Sequence, residues 1–279
     1  MDLSTDFDLS GLIDMHIHTA PDIKPRYCND IQAAGEAKAA GMQAILLKSH
    51  ITLTADRAAI AESIIGDIRV FGGLVLNKTV GGLNPAAVEV AIQLGAKEIW
   101  MPTRDAANVL NPTEKDHGIT IFTPSHQIRN EVRDILDLIH QADVILGTGH
   151  LSIEETLALV RLARQHEFRK LLITHPDSSL VRMPVETQVD ISGEGVFFER
   201  CFIDTTPAMN CTTSIQQIAS TIRKIGPNAN ILATDFGMAS LPPPVQGMRE
   251  FLTGLTREGI SWDDIYTMAK EIPSYLLDL

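Results

Sequence analysis

At 279 residues, with hydrophobic residues at 44% and charged residues at 21%, the chain has ordinary globular composition and is long enough for a large core, so a single domain over residues 1–279 is the expectation. The formal net charge of −12, with lysine and arginine scattered along the chain, excludes the concentrated basic face that a nucleic-acid partner requires. No run approaches the roughly 18 apolar residues that span a bilayer, and Met1–Ser10 is acidic without a charged-then-apolar leader pattern, so a cytoplasmic protein with no membrane contact is expected.

In chain order, short apolar runs alternate with helical stretches. The predicted strands are Leu12–His18, Ala44–Lys48, Val70–Leu76, Glu98–Pro102, Val144–Thr148, Leu171–Thr174, Val196–Phe202 and Ile231–Thr234. Their near-continuous apolar character suits strands covered on both faces. Between them, Ile31–Ala40, Pro85–Leu94 and Ile128–His140 carry apolar residues at spacings of three and four, the helical period. Asn84-Pro85 reads as a cap followed by a first-turn proline. Ser152 followed by Glu154 and Glu155 opens a helix through Arg164, and Gly41 and Gly95 stand where helices should stop. Arg104–Pro124 is long for a bare connection, and its Gly118–Phe122 part predicts an extra small strand; the helix within Asp177–Val196 is poorly marked. Eight βα units of this length predict an α/β (β/α)8 TIM barrel. A doubly wound open sheet is the alternative, but no glycine-rich dinucleotide loop follows the first strand.

His16 and His18 lie two apart at the end of strand one, so their rings share one side, as the side-chain period of a strand requires. Three more residues of metal-binding type follow other strands: His150 after Val144–Gly149, His175 after Leu171–Thr174, and Asp235 after Ile231–Thr234. Barrel active sites form at the carboxyl ends of the strands, so these five positions are expected to converge. Of the nine histidines, His140 and His166 fall late in helices, where interaction with the helix end suffices, and His117 and His126 are loop residues without an evident partner. Cys28, Cys201 and Cys211 have no CxxC spacing, which points away from a disulfide framework, a thiolate zinc site and thiol catalysis.

The sequence Asp14-Met15-His16-Ile17-His18, then Gly149-His150, Thr174-His175-Pro176 and Thr234-Asp235, resembles the amidohydrolase superfamily over the whole chain in order. The ending Ile272-Pro273-Ser274-Tyr275-Leu276-Leu277-Asp278-Leu279 resembles that family's final proline-then-leucine helix. The resemblance implies a divalent metal, foremost zinc with manganese, iron or nickel as alternatives, on His16, His18, His150, His175 and Asp235. Such a metal lowers the pKa of bound water from about 15.7 toward about 7. The hydroxide would attack an amide, lactone or ester carbon of a small molecule, with Asp235 taking the proton. His175 would be either a ligand or a donor to the developing oxyanion.

The pattern departs from two-metal members, which place a carboxylated lysine or a glutamate at the end of strand four. Here that strand ends Trp100-Met101-Pro102-Thr103, with Glu98 at the other end, so one metal is favoured over two. Strand two instead ends Lys48-Ser49-His50, with Lys48 and His50 on one face. An ammonium at the end of an apolar strand must reach solvent or a charge partner, so Lys48 is expected to act in the site, by polarising substrate, binding a carboxylate or being carboxylated. Substrate-binding candidates are His50, Asn77, Glu199 and Arg26, with Lys24 beside Arg26 as a further anion-binding candidate.

The first motif also resembles the polymerase-and-histidinol-phosphatase phosphoesterases, but Asp235-Phe236-Gly237 lacks the second histidine that closes their pattern. Deamination and decarboxylation run on similar one-metal barrels, and a non-enzymatic metabolite-binding barrel is the reading from another class. A small-molecule partner and homo-oligomerisation complete the expectations.

Overall fold

The structure, a computed structural model, describes residues 7–110 and 118–279, so His117 lies outside it. The elements run β1 (Ile13–His18), α1 (Asp30–Ala39), β2 (Ala44–Lys48), α2 (Ala55–Ile65), β3 (Arg69–Val75), α3 (Pro85–Gln93), β4 (Glu98–Trp100), α4 (Asn130–Ala142) and β5 (Ile145–Gly147). They continue with α5 (Ile153–Gln165), β6 (Leu171–Ile173), α6 (Val185–Ile191), β7 (Val196–Cys201), α7 (Ile215–Ile225), β8 (Asn230–Ala233), α8 (Pro244–Arg257), α9 (Trp262–Tyr266) and α10 (Ile272–Leu277). No helix among the described residues is long and apolar enough to cross a membrane.

All eight strands lie where the apolar runs predicted them, within a few residues at each end. They pair in parallel and in sequence order from β1 to β8. The ring closes where the Asp235 amide donates to the His16 carbonyl at 2.9 Å and the His18 amide donates to the Phe236 carbonyl at 2.8 Å. Consecutive strand order with closure is a (β/α)8 barrel and rules out the open doubly wound sheet. The helix boundaries follow the local signals. Ser152 and Glu155 form a reciprocal capping box at α5, and the Asn84 side chain caps α3 through the Ala87 amide. The expected strand over Gly118–Phe122 is instead a pair of isolated bridges, at Ile119 and Phe122, because the neighbouring barrel strands have no free edge there.

Side chains alternate across the barrel wall. Ala44 and Leu46 face inward with Phe71, Val75 and Trp100, whereas Ile45 and Leu47 pack outward against the helices. On β1 the alternation breaks: Ile13 and Met15 face the interior, yet Ile17 faces the helices. A register shift between Asp14 and Ile17 accounts for this, turning His16 and His18 inward after Met15. Leu276 and Leu277 of α10 join the interior cluster and cap the barrel at the end opposite the two histidines.

Asp14 holds the closing strands in place from outside the ring. Its Oδ2 accepts the Thr234 hydroxyl at 2.6 Å, and its Oδ1 accepts the Thr234 and His16 amides at 3.1 and 3.2 Å. Burial raises its pKa to about 6, and these hydrogen bonds oppose the rise. Asp14→Ala leaves the Thr234 and His16 amides without an acceptor and the Thr234 hydroxyl with only the His16 carbonyl at 3.4 Å, and is expected to cost about 3 kcal/mol, or about 6–12 °C in thermal midpoint. A melt within 2 °C of wild type would show that the bracing contributes little.

Candidate metal centre and active site

The strand ends bring the chemistry together. His16 Nε2 and His18 Nε2 lie 3.3 Å apart, and each is 3.0 Å from Asp235 Oδ1. His16 turns its other nitrogen to Glu199 of β7, at 3.1 Å, and both side chains are fully buried. With the Nδ1 proton given to Glu199, His16 presents a lone pair at Nε2. Burial pushes His18 down to about 3, so its imidazole is neutral at physiological pH. Burial also pushes the Asp235 carboxyl up, but its pairing and hydrogen bonds with His16 and His175 outweigh it and hold the group well below the usual carboxylate range. Two imidazole nitrogens and a carboxylate oxygen therefore point at one another, an arrangement that a cation reconciles. Their spacing matches ligands bonded at about 2.0–2.1 Å around a tetrahedral zinc. The donor set fits a divalent metal.

A second grouping, His16, His175, Glu199 and Cys201, shares His16 with the first. It is the poorer site. Glu199 already engages His16 Nδ1, and burial raises the Cys201 thiol pKa well above its ordinary value, keeping it protonated.

His175 adjoins the first group through the far side of Asp235, with Nε2 3.1 Å from Oδ2 and Nδ1 3.3 Å from Asp204 Oδ2. Burial disfavours its charged form, but Asp204 and Asp235 on either side prevail and raise its pKa to about 10. Both His175 and Asp235 sit in left-handed backbone, φ +49° and +53°, a cost the fold sustains at the two strand ends that face each other across the site. Gly237 secures the second of these positions. Its φ is +129°, and a Cβ there would lie 1.7 Å from the His18 carbonyl oxygen, so only glycine lets the chain leave Asp235 so close to β1.

His150 stands opposite, its ring centroid 5.6 Å from that of His175, and it does not enter the close group of ligand atoms. Burial holds it neutral, well below its ordinary pKa, and its Nδ1 has no partner. His50 stacks on His18 at 4.7 Å and meets the Thr103 hydroxyl at 2.8 Å; burial, and then the neighbouring His18 and Lys48, push it well below its ordinary value.

Other sequence candidates fall elsewhere. Asn77 is a brace: its amide donates to the His50 carbonyl and to Thr103 Oγ1, and its oxygen accepts the Thr103 and Asp105 amides. Glu199 faces His16 rather than the open cavity. Lys48 is 1% exposed and sits below the cavity, Nζ 4.8 Å from the Trp100 ring centroid, with no hydrogen-bond partner. Glu98 lies inside the barrel as well, its pKa raised well above the ordinary value by burial and then by Glu199. Trp100 occupies the interior at the end of β4. Glycines on both adjacent strands make room for it: a Cβ at Gly73 or Gly147 would meet the indole at 2.6 or 2.5 Å.

Above the ligand group opens a cavity of about 590 Å³, whose buried base is His18, His150, His175 and Asp235. Lys24, Arg26, His50 and Arg104 line it, with apolar wall from Val109, Leu180, Ile203, Met209 and Met238. Asp204 and Arg104 escaped the sequence reading: each lies in a loop beyond its strand, where no period or spacing marks it.

The neutral histidines predict an acid limit for the metal-free protein. Between about 3 and the ordinary 6.5, His18 is unprotonated in the fold but protonated when unfolded, and His50 and His150 shift the same way. The unfolded chain then binds more protons, so stability falls as pH drops below 6.5. Asp14, raised to about 6, opposes this, as do Glu98 and Asp204, whose carboxyls burial also raises, so the histidines prevail only in the acid range. The stabilisation from His175, with its raised pKa, is full below 6.5 and is lost as pH rises through 10. Melts of metal-stripped protein should fall between about pH 6 and about pH 4; a midpoint unchanged across that range would contradict this.

Comparison with solved structures finds the same barrel in an amidohydrolase from Pseudomonas aeruginosa, at 11% identity over 96% of this chain and 95% of that one, TM-score 0.61. A probable 2-pyrone-4,6-dicarboxylic acid hydrolase from Acinetobacter baumannii aligns at 12% identity over 96% and 100%, TM-score 0.62. A 2,6-dihydroxybenzoate decarboxylase from Rhizobium aligns at 11% identity over 96% and 99%, TM-score 0.57. The likeness is one of fold. No curated protein matches in sequence. A family model does match, over residues 11–199, from the start of β1 into β7, and the chain belongs to that family, described as a family of unknown function (DUF6282).

Proposed function

We propose that the protein is a metal-dependent hydrolase that splits an amide, lactone or ester bond of a small molecule with a single divalent metal. The observation that carries this reading is the convergence of His16 Nε2, His18 Nε2 and Asp235 Oδ1 within 3.0–3.3 Å at the base of the cavity. Three protein donors beside open space are the pattern of a catalytic rather than a structural metal site. Zinc is the preferred ion because the donors are two imidazoles and a carboxylate.

When bound, the metal supplies Lewis acidity and brings the pKa of water toward neutrality. The remaining work falls to the chain. Glu199 fixes the tautomer and ring plane of His16. Asp235 is held as a carboxylate with Oδ1 toward the ligand group, and it is the base placed to take the proton of the attacking water. His175, charged and anchored by Asp204, gives its other N–H to Asp235 Oδ2 and so places positive charge beside the ligand group, where it offsets negative charge developing on the substrate oxygen. Strand four turns the indole of Trp100 inward and offers no carboxylate or lysine at its carboxyl end to bridge a second metal, which favours one.

The test combines metal analysis of purified protein with a screen of chromogenic esters, lactones and N-acyl amino acids against protein loaded with zinc, manganese, iron or nickel. The expected result is about one metal per chain and metal-dependent hydrolysis. Folded protein that takes up none of these metals would overturn the reading, as would release of carbon dioxide without addition of water.

A further inference from the structure

The upper part of the cavity carries charge that the metal chemistry does not use. Arg26, in the loop after β1, gives both Nε and Nη2 to Asp22 Oδ2, at 2.9 and 2.6 Å, and its side chain is only 3% exposed. Arg104, in the loop after β4, is half-buried on the same cavity and has no hydrogen bond or ion pair among the described residues. We propose that Arg104, with Arg26 beside it, binds a carboxylate of the substrate, so that the protein acts on small carboxylic acids with an apolar body. The proposal rests on the hydrolase reading for the reaction, but not for the binding.

Three observations support it. Burial and then the nearby Arg26 charge lower the Arg104 pKa and outweigh the opposing pull of Asp22, Asp235 and Asp105, so the two guanidinium groups repel across the half-buried wall, a cost that an anion between them relieves. The chain as a whole carries −12, so cations gathered at one cavity run against its overall field. Finally, Asp22 already balances Arg26, leaving one net positive charge at the guanidinium pair. That suits a carboxylate, with one charge and two oxygens matched to the guanidinium fork, better than a phosphate ester with a charge of about −1.5 to −2. The wall from Val109, Leu180 and Met238 then receives carbon rather than further polar groups, and about 590 Å³ is the size of a small-molecule site.

Calorimetric titration tests this with benzoate and hexanoate, their neutral amides benzamide and hexanamide, and inorganic phosphate, on both metal-loaded and metal-stripped protein. Each acid is expected to bind about tenfold or more tightly than its amide. Arg104→Met should abolish that preference with metal content and melting unchanged, and Arg104→Lys should restore part of it. Acid affinity unchanged in Arg104→Met, equal binding of acids and amides, no detectable binding of either acid, or phosphate binding more tightly than both acids would each overturn the proposal. The stripped protein separates the two readings. Arg104-dependent acid binding in a chain that takes up no metal sinks the hydrolase and keeps the carboxylate site; a loaded metal with no Arg104 dependence does the reverse.

Discussion

His16→Ala is expected to abolish metal binding. His16 touches His18 and Asp235 through Nε2, and Glu199 and Cys201 through Nδ1. Its removal takes one of three converging donors and leaves Glu199 as a buried carboxylate with neither oxygen paired, since Oε2 already lacks a partner. Loss of an outer partner of a metal ligand costs about 10–100-fold in affinity, so loss of the ligand itself should exceed about 100-fold. His18→Ala should match it. Elemental analysis after dialysis reads the metal directly, and the thermal midpoint should stop rising when zinc is added, because a ligand stabilises only the state that binds it. The variant can be destabilised by its vacated core, so His16→Gln serves as a filled control with the same expected metal loss. Full occupancy in either variant would place the metal elsewhere.

The second large effect belongs to Asp235. Asp235→Asn keeps the shape and an oxygen able to reach the metal, while removing the charge and the basic site. Turnover of any substrate the screen yields should fall by about 10²–10⁴, the usual contribution of a positioned base, with a much smaller loss of metal. The asparagine also tolerates the left-handed backbone at this position, so the fold should persist. Turnover within a few-fold of wild type would remove Asp235 from the proton path and leave it as a ligand alone.

His150 shows how far spacing carries. It follows β5 as the motif order suggests, and it lines the cavity, yet its ring stands apart from the close ligand group. Strand order places a residue at the carboxyl end of the barrel; it does not set the side-chain torsions that decide how closely its nitrogen approaches the other donors. Lys48 shows the complementary gap. Parity on β2 turns it inward, as expected, but the volume of Trp100 and the glycines beside it decide that the ammonium lies under the site, within the field of Glu98 and Glu199.

By itself the sequence determined the architecture and the metal-type residues. Apolar runs of strand length, helical periods, caps at Ser152 and Asn84, and the spacing of His16 and His18 are local properties, written in residues a few positions apart. Only the tertiary structure decided the rest. The register shift after Asp14 exists because β1 must pair with both β2 and β8. Glu199 finds His16, and Asp204 finds His175, across 183 and 29 positions. The cationic cavity wall forms because the loops after β1 and β4 open on the same face. These are contacts made by ring closure, and closure is a property of all eight strands together.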